Sequence, residues 1–130
     1  MKAEELVALA KQAMENAYAP YSGFRVGAAL LGKSGKVYLG CNVENASFSP
    51  TICAERTAFA KAVSEGETEF SAIAVAGGKH GVIEGLCPPC GVCRQVMAEF
   101  CGEDFPIYLA TKDDFETVTL GALLPLGFSL

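Results

Sequence analysis

The chain has 130 residues, of which 51% are hydrophobic and 19% charged, and its formal net charge at pH 7 is −5. This length predicts one domain over residues 1–130, and the apolar content excludes a disordered protein. Binders of the phosphate backbone need clustered cations, whereas the lysines and arginines here are scattered. We therefore expect a small-molecule ligand and no nucleic-acid partner.

The hydrophobic pattern and the number of cysteines indicate the cellular compartment of the protein. No apolar run approaches the roughly 20 residues that cross a bilayer, and the acidic start is unlike a signal peptide. We expect a cytoplasmic protein with no membrane partner. In a reducing cytoplasm, abundant cysteine indicates metal or redox chemistry more often than disulfides. The six cysteines are Cys41, Cys53, Cys87, Cys90, Cys93 and Cys101.

The first part of the chain predicts a helix followed by a β-hairpin. Apolar side chains, Tyr18 among them, recur at three- and four-residue spacing before Pro20, which is typical of an amphipathic helix. Turn-forming residues then alternate with short apolar segments. The predicted elements are a helix over residues 3–18, a turn at 20–23, strands over 24–31 and 36–41 around a turn at 32–35, and a polar loop over 42–50.

The second part alternates helices and strands, which predicts helices on both faces of one sheet. The hairpin is antiparallel and helical crossovers make later pairs parallel, so we expect a mixed sheet. The predicted elements are a helix over 52–64, a strand over 70–76 with its exit at Gly77 and Gly78, a connection over 79–89, a helix over 90–101 with Val92, Val96 and Phe100 as its stripe, strands over 106–111 and 115–119, and a short helix over 120–124.

Two segments carry most of the chemistry, Cys53-Ala54-Glu55-Arg56 and Pro89-Cys90-Gly91-Val92-Cys93. Cys90 and Cys93 share one face of the first turn of a helix that begins at Cys90, and Cys53 can supply a third thiolate. Helix N-termini stabilise thiolates through their free N–H groups. Three protein ligands and an open fourth position are typical of catalytic zinc. C-x-E followed by P-C-x-x-C is the pattern of zinc-dependent deaminases.

The second segment allows two assignments of its ligands, because residues 87–90 also form C-x-x-C. We prefer Cys90 and Cys93, since two prolines hold Cys87 on an extended segment away from the helix face. Cys87 is then a spare thiol. The lone histidine, His80, lies in a loop and is expected to be solvated.

Glu55 and Arg56 have distinct predicted roles beside such a metal. Glu55 lies close to the metal without binding it, where a carboxylate can transfer protons between water and substrate. Alone, it would be interpreted as a first-turn glutamate favoured by the helix dipole. Three thiolates leave zinc with a net negative charge, which Arg56 can offset by hydrogen bonds to sulfur. The alternative for Arg56 is a surface ion pair.

With these residues in view, the chain closely resembles the small, homotetrameric cytidine deaminases. The resemblance covers nearly the whole chain in the family's order, and the combination of motifs is highly specific. The matching stretches are Ala19-Pro20-Tyr21-Ser22, Phe24-Arg25-Val26-Gly27-Ala28-Ala29, Gly40-Cys41-Asn42-Val43-Glu44-Asn45-Ala46-Ser47, Cys53-Ala54-Glu55-Arg56-Thr57-Ala58, Pro89-Cys90-Gly91-Val92-Cys93-Arg94-Gln95 and Leu123-Leu124-Pro125.

The resemblance implies a three-layer α/β/α sandwich around a five-stranded mixed sheet, with one Zn²⁺ per subunit. It implies hydrolysis of cytidine and 2′-deoxycytidine to uridine and 2′-deoxyuridine plus ammonia, a reaction of pyrimidine salvage. It also implies that active sites are shared between subunits of a homotetramer. The family's site residues fall on Glu55 as the catalytic residue, on Cys53, Cys90 and Cys93 as metal ligands with Arg56 beside them, and on Phe24, Asn42, Val43, Glu44, Ala54 and a neighbouring Phe128 for substrate.

Some of these roles rest on the resemblance alone. From the residues themselves, Asn42 and Glu44 predict only a solvated loop. In the family they hold the ribose hydroxyls, while Phe24 packs against the nucleoside. The chain departs from the family at residues 48–50, Phe-Ser-Pro, where a tyrosine followed by small or apolar residues is common. Phe48 can pack but cannot donate a hydroxyl hydrogen bond.

Four other functions fit parts of the pattern. A deaminase of another amino-bearing ring would keep the metal site, but residues 42–45 favour a ribonucleoside. A structural zinc module would need a fourth ligand, for which Cys87 is the nearby candidate. A redox protein using the C-x-x-C pair would leave residues 53–56 unexplained. An editing enzyme for single-stranded nucleic acid is disfavoured by the acidic charge.

Overall fold

The computed structural model describes residues 1–130, and its elements follow the predicted order. No helix in it combines the length and apolar character needed to cross a membrane. The elements are α1 (Ala3–Ala13) with a 3-10 turn (Met14–Asn16), β1 (Phe24–Gly32), β2 (Val37–Cys41), α2 (Ala54–Ser64), β3 (Phe70–Lys79), α3 (Gly91–Phe100), β4 (Pro106–Ala110), β5 (Phe115–Thr119) and α4 (Leu120–Leu123).

The strands form one five-stranded mixed sheet in the order β2-β1-β3-β4-β5. β1 is antiparallel to both β2 and β3, β3 is parallel to β4, and β4 is antiparallel to β5. The predicted hairpin and the parallel pair across α3 are confirmed. The crossover through α2 also makes β2 and β3 run in the same direction. However, β1 lies between them, so this crossover creates no second neighbouring parallel pair.

The two faces of the sheet carry side chains of different size. Small residues allow α1 to pack close to the strands, whereas larger ones fill the space beneath α2 and α3. This is the predicted three-layer α/β/α arrangement. The buried strand residues facing α1 are Ala29, Ala72, Ala74, Ala76 and Ala110. Those facing α2 and α3 are Ala28, Leu30, Tyr38, Phe70, Ile73, Val75, Ile107 and Leu109.

Two glycines allow helices to approach the sheet from opposite faces. A Cβ at Gly27 would overlap the carbonyl oxygen of Ala10 in α1, and a Cβ at Gly40 would overlap that of Ala54 in α2. A side chain at either position would push a helix away from the sheet. Because Cys53 is the N-cap of α2, the contact at Gly40 also sets the distance between this cysteine and the sheet.

The predicted apolar stripes of two helices are partly wrong. The regular helix α1 ends at Ala13, so Tyr18 lies outside it and is 56% exposed. In α3, Val92 is 58% exposed, and the buried residues are Cys93 and Met97. The helix begins one residue after Cys90, and its buried face is the one that carries the cysteine.

β3 extends further than predicted. The exit at Gly77 and Gly78 is wrong, because these residues pair with Val26 and Arg25 of β1. Their pairing depends on a strand that lies about fifty residues earlier, so the local glycine signal is misleading. The strand continues to Lys79, whose position at its end becomes important below.

Replacing Gly27 by alanine is expected to lower the free energy of unfolding by about 1–3 kcal/mol, because the new Cβ overpacks the contact between α1 and β1. Urea denaturation followed by circular dichroism measures the change. Gly102→Ala is the matched control, since no heavy atom lies within 4 Å of a Cβ there. Equal midpoints for the two variants would contradict the close packing of α1.

Candidate metal centre

Three cysteine side chains meet where the N-termini of α2 and α3 converge. Cys53 and Cys90 are the N-cap residues of these helices, both with extended backbone, and Cys93 lies in the first turn of α3. The Sγ atoms of Cys53 and Cys90 are 3.7 Å apart, and those of Cys90 and Cys93 are 3.6 Å apart. The structure thus brings together the three residues that the sequence predicts as ligands.

The geometry of these sulfurs fits zinc. Tetrahedral Zn–S bonds of about 2.3 Å place sulfurs roughly 3.8 Å apart, close to the separations observed here. Thiolates suit zinc, and three of them leave one tetrahedral position open. All three sulfurs lie within 4.8 Å of one another, and no carboxylate or imidazole belongs to the group. We refer to Cys53, Cys90 and Cys93 as the sulfur cluster.

Positive charge stabilises the sulfur cluster. Arg56 Nη2 donates a hydrogen bond to Cys53 Sγ at 3.5 Å. Hydrogen bonding from Cys93, together with that from Arg56, lowers the pKa of Cys53 to about 5 despite its burial. The pKa of Cys93 is raised, chiefly by its hydrogen bond to Cys53. A bound metal ion would displace the thiol protons, because zinc binds cysteine as the thiolate.

Cys87 lies outside the sulfur cluster. A Cβ at Gly77 would lie 2.7 Å from its Sγ, so the thiol packs against the end of β3. Burial raises the pKa of Cys87 to about 12, which keeps the thiol neutral. The prediction of a spare thiol agrees with this position, and the alternative pair formed with Cys90 does not occur.

Glu55 lies in the first turn of α2, beside the sulfur cluster but outside it. It is only 4% exposed. Burial raises its pKa to about 7, and the negative charge of Cys53 adds to this effect, while its own backbone N–H and Arg56 oppose it. A carboxyl group with a pKa near neutrality can both accept and donate protons at neutral pH.

Asn42 is buried at the end of β2 rather than solvated. It is 8% exposed. Its Oδ1 accepts a hydrogen bond from the Val26 N–H at 2.9 Å, and its Nδ2 donates to the Phe24 carbonyl at 2.8 Å. The interpretation of Asn42 as a solvated loop residue is therefore wrong, because its amide groups replace backbone pairing at the start of β1.

Glu44 is held by the turn that precedes β1. Its Oε1 accepts hydrogen bonds from the backbone N–H groups of Tyr21 at 3.0 Å and Ser22 at 3.1 Å, and its Oε2 accepts one from the Ser22 hydroxyl. These bonds to Ser22 hold the pKa of Glu44 below its ordinary value. Its carboxylate is therefore fixed and ionised, although Glu44 lies in a loop at the surface.

The other predicted substrate residues differ in which of their groups a ligand could contact. Phe24 and Val43 are 39% and 41% exposed, so both side chains are accessible to a ligand. Ala54 follows Cys53 as the first residue of α2 and is fully buried. Its contribution to a ligand is therefore limited to its backbone.

Phe128 lies apart from the sulfur cluster of its own chain. It is 68% exposed, and its carbonyl accepts a hydrogen bond from Gln95 Nε2 at 2.9 Å. It lines a surface depression with Ala98 and Cys101 at the C-terminal end of α3, whereas the sulfurs lie at the N-terminal end. Phe128 therefore faces a different part of the surface.

The sequence did not predict the role of Arg94, which holds the segment that leads into Cys90. Its Nε donates to the Pro89 carbonyl at 2.7 Å, and its Nη1 donates to the Leu123 carbonyl, also at 2.7 Å. The guanidinium thus connects the residue before Cys90 to α4. The only sequence feature that could have indicated this role is the position of Arg94 next to Cys93. Spacing alone does not distinguish Arg94 from a cation on the surface.

Comparisons with known proteins agree with this geometry. A model of the cytidine and deoxycytidylate deaminase zinc-binding region matches residues 1–109. Cytidine deaminases of Sporosarcina psychrophila and Halalkalibacterium halodurans are 52% and 49% identical over 130 residues, covering 99% of this chain and 93% and 96% of theirs. The crystal structure of cytidine deaminase from Burkholderia pseudomallei is 46% identical, with a TM-score of 0.90 over 98% of this chain and 100% of that one.

Replacing Cys90 by serine is expected to remove most of the bound zinc, because only two thiolates would remain. The loss of affinity should exceed the roughly 10–100-fold effect of changing an outer hydrogen-bond partner. Cys87→Ser is the matched control and should keep the zinc content of the unaltered protein. Atomic absorption on both purified variants measures the ratio, and zinc loss from Cys87→Ser would show that its thiol is a ligand.

Proposed function

The chain belongs to the cytidine and deoxycytidylate deaminase family, and we propose that it hydrolyses cytidine and 2′-deoxycytidine to uridine and 2′-deoxyuridine with release of ammonia. One observation carries this proposal. A three-thiolate cluster with an open tetrahedral position lies beside a buried carboxyl group that is not part of it. Zinc deaminases need this combination, since the metal activates water and the carboxyl group moves protons. We place the reaction in pyrimidine salvage.

A metal ion here would be held from two helices at once. Cys53 would bind it from α2, while Cys90 and Cys93 would bind it from α3. Zinc in such a site acts as a Lewis acid that makes water nucleophilic at neutral pH. Arg56 keeps its positive charge, because hydrogen bonding to Cys53 raises its pKa. That charge offsets part of the negative charge of the sulfur cluster.

Glu55 is the residue that we assign to proton transfer. In the reaction, the oxygen of water adds to C4 of the cytosine ring and the amino group leaves. One proton of the water must reach N3 of the ring, and the other must reach the amino nitrogen before ammonia departs. Glu55 can accept and release each proton in turn, because its pKa is near neutrality. Its burial limits exchange of these protons with solvent.

We assign recognition of the sugar to Asn42 and Glu44, and contact with the nucleoside to Phe24, Val43 and the backbone of Ala54. Glu44 contributes to a surface cavity of about 300 Å³ that Tyr21, Phe48 and Thr51 also line. That volume is at the lower end of the range for small-molecule sites. Glu44 presents an ionised carboxylate there, and ionised acceptors form strong hydrogen bonds to hydroxyl groups.

The substrate in this proposal is a free nucleoside in the cytoplasm. The net charge of −5 opposes binding to a phosphate backbone. All six cysteines are free thiols, which fits a reducing compartment. Neither point depends on the metal site.

We further propose a homotetramer whose active sites are shared between subunits. Contiguous apolar side chains on the surface mark interaction sites, and the exposed rings of Tyr21 and Phe48 line the same surface cavity. Phe128 lies at the end of α3 remote from its own sulfur cluster, so we assign it to a neighbouring subunit's site. The exposed side chains that support an interface include Tyr18, Tyr21, Phe48, Val92, Leu126, Phe128 and Leu130.

Replacing Glu55 by glutamine is expected to keep zinc bound and to lower kcat by at least about 10²–10⁴-fold, the usual contribution of general acid–base catalysis. The fall in ultraviolet absorbance on conversion of cytidine to uridine measures kcat, and metal analysis of the same preparation measures zinc. Glu99→Gln on the exposed side of α3 is the matched control and should keep full activity. Loss of zinc from Glu55→Gln would show instead that Glu55 is a ligand.

Sedimentation velocity is expected to give a particle of four times the 13.6 kDa of one chain. Phe128→Ala should raise KM for cytidine and leave the zinc content unchanged, because the ring would contact substrate rather than metal. A stable and fully active monomer would overturn the shared-site proposal without affecting the assignment of Glu55.

A further inference from the structure

The turn at residues 20–23 is hydrogen-bonded to two separate parts of the chain. Glu44 accepts from it on one side, as described above. On the other side, Lys79 Nζ donates to the Ser22 carbonyl at 2.6 Å, and the His80 backbone N–H donates to the Gly23 carbonyl at 2.6 Å. The turn therefore connects the end of β3 to the carboxylate that we assign to the sugar.

Ser22 controls the direction of the Glu44 carboxylate. Its Oγ accepts a hydrogen bond from the Phe24 N–H at 2.9 Å. Because that N–H can only donate, the hydroxyl proton of Ser22 is directed to Glu44 Oε2. Oε1 already accepts two N–H groups. A carboxylate oxygen has two lone pairs, so Oε2 keeps one lone pair for a substrate hydroxyl.

The end of β3 fixes the turn that carries Ser22. His80 has a backbone φ of 53°, a conformation that is uncommon for residues other than glycine. A Cβ at Gly23 would lie only 2.8 Å from His80 Cε1, so the imidazole packs directly on the turn, although His80 is exposed as predicted. Lys79 adds a positive charge that favours the ionised form of Glu44.

We propose that Ser22 and Lys79 are positioning residues that set the affinity of the enzyme for the sugar of its substrate. The inference rests on the proposed function, in which Glu44 binds a ribose hydroxyl. Ser22 orients the carboxylate directly, and Lys79 acts through the carbonyl of Ser22. Neither residue is hydrogen-bonded to the sulfur cluster or to Glu55, where the ring reacts. Losing either one removes binding that is equal in ground and transition states, which raises KM without lowering kcat.

The test compares two substrates, cytidine and 2′,3′-dideoxycytidine, which lacks both hydroxyls that Glu44 could bind. Ser22→Ala and Lys79→Met are each expected to raise KM for cytidine about 10-fold, the size of one hydrogen bond to a charged group, with kcat changed less than about 2-fold. KM for the dideoxy substrate should stay within about 2-fold. Lys79→Arg should restore KM, and Lys33→Met, an exposed lysine, is the matched control.

Glu44→Gln separates failure of this inference from failure of the proposed function. If Glu44→Gln leaves KM for cytidine unchanged, the assignment of Glu44 to the sugar is wrong. If Glu44→Gln raises KM but Ser22→Ala and Lys79→Met do not, the positioning inference alone is wrong. Equal effects on both substrates would show that Ser22 and Lys79 merely support the fold. That outcome would also contradict the positioning inference.

A double variant provides a second check that does not depend on one substitution. Ser22→Ala combined with Glu44→Gln is expected to raise KM for cytidine no further than Glu44→Gln alone, because residues that act through one contact are non-additive. Fully additive effects would contradict the inference. Ser22→Thr keeps the hydroxyl and should stay close to the unaltered enzyme, so the comparison remains decisive if Ser22→Ala folds poorly.

Discussion

The site depends on holding three cysteine sulfurs within 4.8 Å of one another against their mutual repulsion. Thiolates at that separation repel strongly unless positive charge is close. Two of them occupy N-cap positions, where serine, threonine, aspartate or asparagine would normally cap the helix, and neither makes a side-chain capping bond. The partial positive charge at the N-termini of α2 and α3 therefore lies beside the sulfurs, and Arg56 adds a full charge. Both helices therefore carry a cysteine of the site at the N-cap position and lack a side-chain capping hydrogen bond.

The order and direction of the strands explain why this site can form at one edge of the sheet. β2 and β3 run in the same direction, and each is followed by a helix whose N-terminus lies near the strand's carboxyl end, where ligands bind in α/β sheets. β1 runs the opposite way between them, so its start meets the same edge. Phe24, Asn42 and Lys79 thus lie at the same edge of the sheet, although they are far apart in the chain.

Local patterns in the sequence predicted the features that depend on neighbouring residues. Periodicity placed the helices and strands, and the spacing of Cys90 and Cys93 placed two ligands on one helix face. Features set by distant pairing were missed. Gly77 and Gly78 resemble a strand exit but pair with β1, and the bond from Lys79 to Ser22 spans 57 residues. Asn42 looked solvated because no pattern in one segment shows that its amide completes another strand.

The two glutamates of the proposed site, Glu55 and Glu44, carry the same carboxyl group but have different roles, because their environments move its pKa in opposite directions. Burial raises the pKa of Glu55 to about 7, whereas hydrogen bonds from Ser22 lower that of Glu44. Groups whose pKa values are moved in opposite directions are suited to different tasks. Glu55 can change protonation state during a reaction at neutral pH, and Glu44 stays a constant acceptor. The difference follows from position. Glu55 is buried in the first turn of α2, and Glu44 lies on the surface, where a turn supplies its donors.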